Sequence, residues 1–317
     1  MKYLFTALLT LILSLPAVGQ ALYKVDYTQE DLVIFNDFCR KYKHKKDLPM
    51  NELVVEVGKY FLGTPYVNFT LEKKEPEELI VNLRELDCVT FVETTVALAR
   101  CIKTGIYDFD YYCENLRDLR FRDGNLENFT SRLHYFSDWI WNNAEMGLVA
   151  DQTGTFGGVD YPIKVNLMSR KPGNYRQLVN NPEYVPIIAD IENNVISGRT
   201  MFEIPQESAD SIASLMPGGF IVGTTTNWQM DVTHCGFLCH VDGKPYFMHA
   251  SSTAKKVVIT SESLQEYLES KRTMTGFMAV EVLNPEKPEP TIVRTDDGML
   301  SNHIPLETRP IPIRSLQ

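Results

Sequence analysis

Asp242-Gly243 stands between two runs of alternating apolar and polar residues, His234–Val241 and Tyr246–Ala250. An Asp-Gly pair in that setting is a strong signal for a two-residue β-hairpin loop. A loop that short fixes the register of everything behind it. With Val241 paired to Lys244, Gly236 falls opposite His249, and His234 falls opposite Ser251. His234 and His249 become diagonal neighbours on one face, roughly 7–8 Å apart at Cα and within reach of each other's rings. Gly236 leaves room for the imidazole facing it. One imidazole hydrogen-bonded to another is a base with an orienting partner, the pair that nucleophilic catalysis needs. The competing reading is two ordinary half-buried histidines.

Elsewhere the periodicity differs. Over 28–62, Leu32, Ile34, Phe35, Phe38 and Cys39 form one helical stripe and Leu53, Val54, Val57 and Phe61 another, with Asn51-Glu52 fitting a helix start between them. A Gly63-Thr64-Pro65-Tyr66 turn and an acidic loop, Glu72–Glu78, follow. Residues 86–104 predict a strong helix, and 105–210 a mixture of short helices and loops. From Pro217 the pattern becomes strands, at Phe220–Thr226, the hairpin, Val257–Thr260 and Phe277–Val282, with a helix at Leu264–Leu268. Helices first and strands later predict an α+β fold. It would be a single domain over 21–283 with a helical and loop insertion around 105–210. The Pro-rich segment 284–317 lacks periodicity and predicts an extended tail.

At the N-terminus, Met1-Lys2, the apolar run Leu4–Leu15, Pro16, and small residues at Ala17 and Gly19 match an export signal over 1–20. An uncleaved anchor helix is the alternative, against which Pro16 and the short apolar run argue. No other stretch approaches the ~20 apolar residues of a membrane helix. The expected product is exported, periplasmic and without membrane insertion after cleavage. A net charge of −10 with no Lys/Arg-rich run argues against nucleic-acid binding.

The helix over 86–104 carries its own chemical signal. Asp87 is a good N-cap and Gly105 a good stop, which puts Cys88 in the first turn on the inward line 88, 92, 95, 99, 102. The positive end of the helix dipole favours a thiolate there, and the free N–H groups suit an oxyanion. A small core cysteine is the bland alternative. Six cysteines in 317 residues are too few for a disulfide scaffold. Strand alternation sends His234 and Cys235 to opposite faces, and likewise Cys239 and His240, so these four predict no compact zinc site. Cys235 and Cys239, roughly 13 Å apart along one strand, predict buried core thiols, as does Cys39. Cys101 and Cys113 are either bridged or free.

A Cys at a helix N-terminus, a His on a strand and a polar residue on the next strand follow the order of the papain-like NlpC/P60 peptidoglycan amidases. The chain resembles them at Pro65-Tyr66, Asp87-Cys88-x-x-Phe91, His234-x-Gly236 and His249-Ala250-Ser251. It is more closely similar to the DUF1460 family, described as N-acetylmuramoyl-L-alanine amidase-like, over about 50–282. Further segments carrying that similarity are Gly63–Tyr66, Leu83–Glu93, Ser131–Tyr135, Thr233-His234-x-Gly236 and His249–Ser252. Cys235 stands where an aliphatic residue is usual, and 284–317 has no counterpart.

The resemblance implies a papain-like core with Cys88 as nucleophile, His234 as general base and His249 as the residue orienting it. It implies Tyr66 as an oxyanion donor or substrate contact, and Asp87 as a substrate contact beyond its capping role. Arg132, His134, Tyr135 and Trp139 form a polar-aromatic cluster that suits a glycopeptide, or else a Tyr/Trp core stripe. The implied reaction is hydrolysis of the N-acetylmuramoyl–L-Ala amide of muropeptides through a thioester, by a monomer with neither metal nor cofactor. The wider superfamily more often cuts D-γ-glutamyl–diaminopimelate. Two rival classes stay open. One is a non-catalytic periplasmic glycopeptide binder, which would be free to lose one of the trio. The other is a transglutaminase-like enzyme, whose triad usually ends in Asp rather than His249.

Overall fold

The structure, a computed structural model, describes residues 23–72, 75–226 and 230–286, together with 291–294, 300–303 and 313–314. The expected signal over 1–20 lies outside these residues, as does most of the expected tail. The chain starts with β1 (Lys24–Asp26), α1 (Gln29–Tyr42), α2 (Met50–Tyr60), β2 (Leu79–Ile80), α3 (Cys88–Thr104), α4 (Phe109–Arg120) and α5 (Phe136–Glu145). Next come β3 (Val149–Asp151), β4 (Val159–Pro162) and three short helices, α6 (Leu167–Arg170), α7 (Arg176–Asn180) and α8 (Tyr184–Asp190). The rest is β5 (Thr200–Pro205), α9 (Ala209–Ala213), β6 (Ile221–Thr226), β7 (Val232–Val241), β8 (Lys244–Ser251), β9 (Lys256–Ser263), α10 (Leu264–Glu269) and β10 (Met274–Val282). This is a mixed α+β architecture, with ten α-helices among the described residues.

Eight strands form the main sheet, in the order β4-β5-β10-β6-β7-β8-β9 with β3 also paired to β10. The segment 105–210 therefore supplies three strands to the sheet as well as helices. At three to six residues each, these strands are too short for alternation to show in the sequence.

The hairpin has the register its loop dictates. Val241 pairs with Lys244 and Phe237 with Met248. Asp242 and Gly243 both take positive φ, 51° and 77°, the requirement of a type I′ turn. Alternation then sorts the strand's side chains. Cys235, Phe237 and Cys239 face the large core that contains α3, while Leu238 and Phe247 face a smaller cluster built with Leu264 and Leu268 of α10. The sheet is covered on both faces, which is why Phe237, Leu238, Phe247 and Met248 are all fully buried.

α3 runs between the sheet and the other helices. Residues Thr90–Ile102 are all buried, so the single inward stripe expected from sequence becomes burial all round. The charged residues enclosed this way have partners. Glu93 pairs with Arg120 of α4 at 2.7 Å, both under 5% exposed, and Arg120 also donates to the Ile80 carbonyl. A charge sealed in the core is tolerated only when paired and hydrogen-bonded. None of the six cysteines forms a disulfide, and Cys101 and Cys113 are buried and unbridged.

Candidate active site

Three elements bring the chemistry together: the start of α3, the end of the hairpin, and the turn before α3. Asp87 caps the helix, its Oδ1 accepting from the Thr90 N–H at 2.8 Å while its own N–H donates to Thr90 Oγ1 at 2.9 Å. This reciprocal cap pins the first turn and places Cys88 at its first position, partly exposed. On the hairpin, His234 Nε2 meets His249 Nδ1 at 2.6 Å. Gly236 makes that approach possible: a Cβ there would lie 2.4 Å from the Met248 carbonyl oxygen and 2.8 Å from His249 Cβ. A register shift between Thr224 and Thr225 leaves Thr233 as the extra residue of β7, a bulge next to His234.

His249 is 4% exposed, its ring stacked on Phe247 at 4.7 Å and packed against Tyr267 at 5.2 Å. Burial, followed by the neighbouring His234 and Lys271, pushes its pKa down to about 3. It is neutral at ordinary pH. With the His249 proton on its other nitrogen, Nδ1 accepts from His234 Nε2–H, the tautomer that turns His234 Nδ1 toward the thiol.

Cys88 lines the same cleft as His234 and Cys235 of β7. A hydrogen bond from the Cys235 thiol, then the charge and hydrogen bond of His234, then the Cys235 backbone N–H hold the Cys88 thiol well below its ordinary value, against an opposing burial penalty. Burial and the Cys88 sulfur push Cys235 the other way, so Cys235 keeps its proton and acts as the donor. The sequence placed Cys235 correctly in the core (1% exposed) and missed that this core position lies against the nucleophile candidate. The usable signal was its adjacency to His234: both neighbours act on the Cys88 sulfur.

The other candidates divide. Tyr66 is bridged to Leu86, and its phenol is raised to about 12 by burial, Cys88, Asp87 and Cys235. The Asp87 carboxyl is pushed up to about 6 by burial and then by Cys88, against the Thr90 hydrogen bonds. A cleft of about 260 Å³ opens beside Cys88, walled by His134, Tyr135, Phe136, Met168, Tyr175 and His234 among others. His134 gives its Nε2 proton to the Phe129 carbonyl at 2.7 Å, and burial keeps it neutral, with a pKa of about 3. The Tyr135 hydroxyl is engaged by Glu192 at 2.5 Å and by the Leu167 and Met168 N–H groups, so its ring forms wall while its oxygen is occupied.

Arg132 and Trp139 depart from the expected cluster, since neither lines this cleft. Arg132 is held by Glu72 and Glu77 and donates to the Leu71 carbonyl, which fastens the acidic loop. Trp139 is fully buried and stacked on Phe136. Trp139 is thus placed as a core aromatic, and Arg132 in an ion-pair network. Among the described residues no group of three or more His, Cys, Asp or Glu is placed to hold a metal ion. No described helix is long and apolar enough to cross a membrane.

The sequence matches a family model described as AmiA-like, N-acetylmuramoyl-L-alanine amidase-like, over residues 56–275. That span contains Tyr66, the α3 cap, Cys88 and both histidines. The chain belongs to this family. Solved structures resemble it in the same region. An N-acetylmuramoyl-L-alanine amidase from Bacteroides uniformis ATCC 8492 is 34% identical, with a TM-score of 0.70 over 74% of this chain and 98% of that one. A Bacteroides fragilis protein described as a candidate xylanase is also 34% identical, with a TM-score of 0.68 over 72% and 99%. Protein LPG0564 from Legionella pneumophila str. Philadelphia 1, matched by the DUF1460 family model, shares the fold at 23% identity, with a TM-score of 0.65 over 81% and 97%. None of the curated proteins matches the chain. Two structural relatives with equal identity thus carry names for different chemistries, and the site of this amidase-like chain has to be read from its own residues.

Proposed function

We propose that this chain is a cysteine amidase that cleaves the N-acetylmuramoyl–L-Ala bond of peptidoglycan fragments, on a papain-like core of the NlpC/P60 kind. The observation that carries this reading is the 2.6 Å bond between His234 Nε2 and His249 Nδ1 beside a thiol biased toward thiolate. A glycan-cleaving enzyme, the reaction suggested by the xylanase name, needs a carboxylate pair at the scissile bond. The cleft beside Cys88 has one carboxylate on its wall, Asp231, and its oxygens are taken by the Ser137 and Val232 N–H groups.

In this mechanism Cys88 Sγ attacks the amide carbonyl and the C=O electrons move to oxygen. The Cys88 backbone N–H at the start of α3, with the Tyr66 phenol nearby, stabilises that oxyanion. His234 Nδ1 donates its proton to the leaving nitrogen as the C–N bond breaks, which leaves a thioester on Cys88 and a free amine on the peptide. A water then gives a proton to His234 and attacks the thioester, releasing the acid and restoring the thiolate–imidazolium pair. His249 holds His234 in the tautomer that makes both transfers possible. The chain would do this as an exported, periplasmic monomer with muropeptides as substrates.

Mass spectrometry of muropeptides after digestion tests the proposal. Free saccharide and intact stem peptide are expected, and both should vanish in Cys88→Ala. Release of L-Ala–D-Glu instead would transfer the mechanism to the D-γ-glutamyl–diaminopimelate bond. Undiminished turnover by Cys88→Ala would end the cysteine mechanism.

A further inference from the structure

The Cys88 cleft is one of two cavities that meet at His234. A larger one, about 520 Å³, is also walled by His234 but not by Cys88, and reaches from His249 past Ser251 and Thr253 to Tyr267 and Lys271. We infer that this second cavity receives the amine-side fragment of the substrate, the stem peptide, and that Lys271 pairs with its first free carboxylate.

This assignment rests on the proposed thioester chemistry and on where its parts must sit. The acyl fragment stays bonded to Cys88 Sγ until water arrives, so it occupies the space that Cys88 lines. The amine fragment is protonated by His234, and once the C–N bond breaks nothing holds it at the sulfur. Its space is the one that His234 lines and Cys88 does not. The walls agree with that division. The Cys88 cleft is aromatic and apolar, with Phe136, Met168 and Tyr175, which suits a sugar face and the lactyl group. The second cavity is rich in hydroxyls, with Ser251, Ser252 and Thr253 able to meet peptide N–H and C=O groups, and it carries one cation.

That cation is placed by the fold. Lys271 follows the end of α10, and its Nζ lies over the Tyr267 ring at 5.4 Å. Tyr267 in turn packs on His249. A continuous line therefore runs from the reacting imidazole to the ammonium. Among the described residues, a ring rather than a carboxylate holds Lys271. One carboxylate, Glu262, also lines the cavity and accepts from Ser261 Oγ at 2.8 Å. A cavity with one ammonium and one carboxylate among hydroxyls matches a peptide that carries both charges. In a stem peptide linked through the glutamate side chain, the α-carboxylate of that residue is the first free anion beyond the scissile bond.

Kinetics of the full chain on N-acetylmuramoyl-L-Ala-D-Glu and on its α-amide, N-acetylmuramoyl-L-Ala-D-isoglutamine, test the assignment. The acid is expected to be favoured in kcat/KM by about five- to ten-fold, mostly through KM, as for a charge-assisted contact. Lys271→Arg should keep that preference, Lys271→Gln should bring the ratio near one, and Lys271→Glu should invert it. Equal use of acid and amide by the unaltered chain, or an unchanged ratio in Lys271→Gln, would overturn the inference. Calorimetric binding of the free dipeptides L-Ala-D-Glu and L-Ala-D-isoglutamine to Cys88→Ala separates the two claims, because it needs no turnover. Acid-selective binding that depends on Lys271, without cleavage of either substrate, would sink the amidase reading and keep the cavity assignment. Cleavage without acid preference would do the reverse.

Discussion

Gly236→Ala probes the site without touching any reacting group. The added Cβ would stand 2.4 Å from the Met248 carbonyl oxygen, 2.8 Å from His249 Cβ and 2.8 Å from Phe247 Cε2, where ordinary contact begins at 3.4 Å. The closest of these is backbone, so no side-chain rotation relieves it, and β7 and β8 must separate by about 1 Å. Added to the 2.6 Å contact between His234 and His249, that opening carries the pair beyond hydrogen-bonding distance. Overpacking of this kind costs about 1–3 kcal/mol of stability. A misplacement near 1 Å at a catalytic group costs about 10²-fold in rate. The assay is kcat/KM on a muropeptide, normalised to folded protein by circular dichroism and active-site thiol titration, with urea unfolding alongside. A Gly236→Ala chain equal to the unaltered one in both stability and normalised activity would refute the claim that this close approach builds the histidine pair.

Other predictions follow from neighbouring features. His249→Ala should lower kcat by about 10²–10⁴-fold through loss of the correct His234 tautomer, and His249→Asn, which can still accept from Nε2, should recover part of it. Equal losses for the two would argue against an orienting role. The Cys88 thiol lies well below its ordinary value, so its alkylation by iodoacetamide should persist as pH falls below the usual thiol range. Cys235→Val removes the leading cause and should move that inflection upward, and an unmoved inflection would show that the Cys235 thiol does not stabilise the thiolate. Glu93→Gln leaves the Arg120 guanidinium buried and without its anion and should destabilise the fold by about 3–5 kcal/mol in urea unfolding, whereas a loss under 1 kcal/mol would mean that the core admits water there.

Local sequence determined the pieces of this protein whose geometry is set by a few adjacent residues. Asp242-Gly243 chose a loop, the loop chose a register, and the register chose the two histidines. Asp87 and Gly105 marked the ends of α3 because a carboxylate satisfies orphan N–H groups and glycine accepts positive φ, and both effects act within one turn. Tertiary structure decided what depends on neighbours distant along the chain. Burial of α3 on all sides comes from its central position, and its single-stripe pattern held no sign of it. The short strands β3 to β5 exist because a sheet edge was available to pair with. Arg132 and Trp139 are residue types suited to a ligand, yet Glu72, Glu77 and Phe136 claimed them. Alternation along β7 correctly sent Cys235 and His234 to opposite faces. Only the packing of α3 against β7 lets one sulfur meet both. Hydrogen-bonding and turn preferences act over a few residues and can be read in order along the chain, whereas packing is decided by whichever distant side chain arrives.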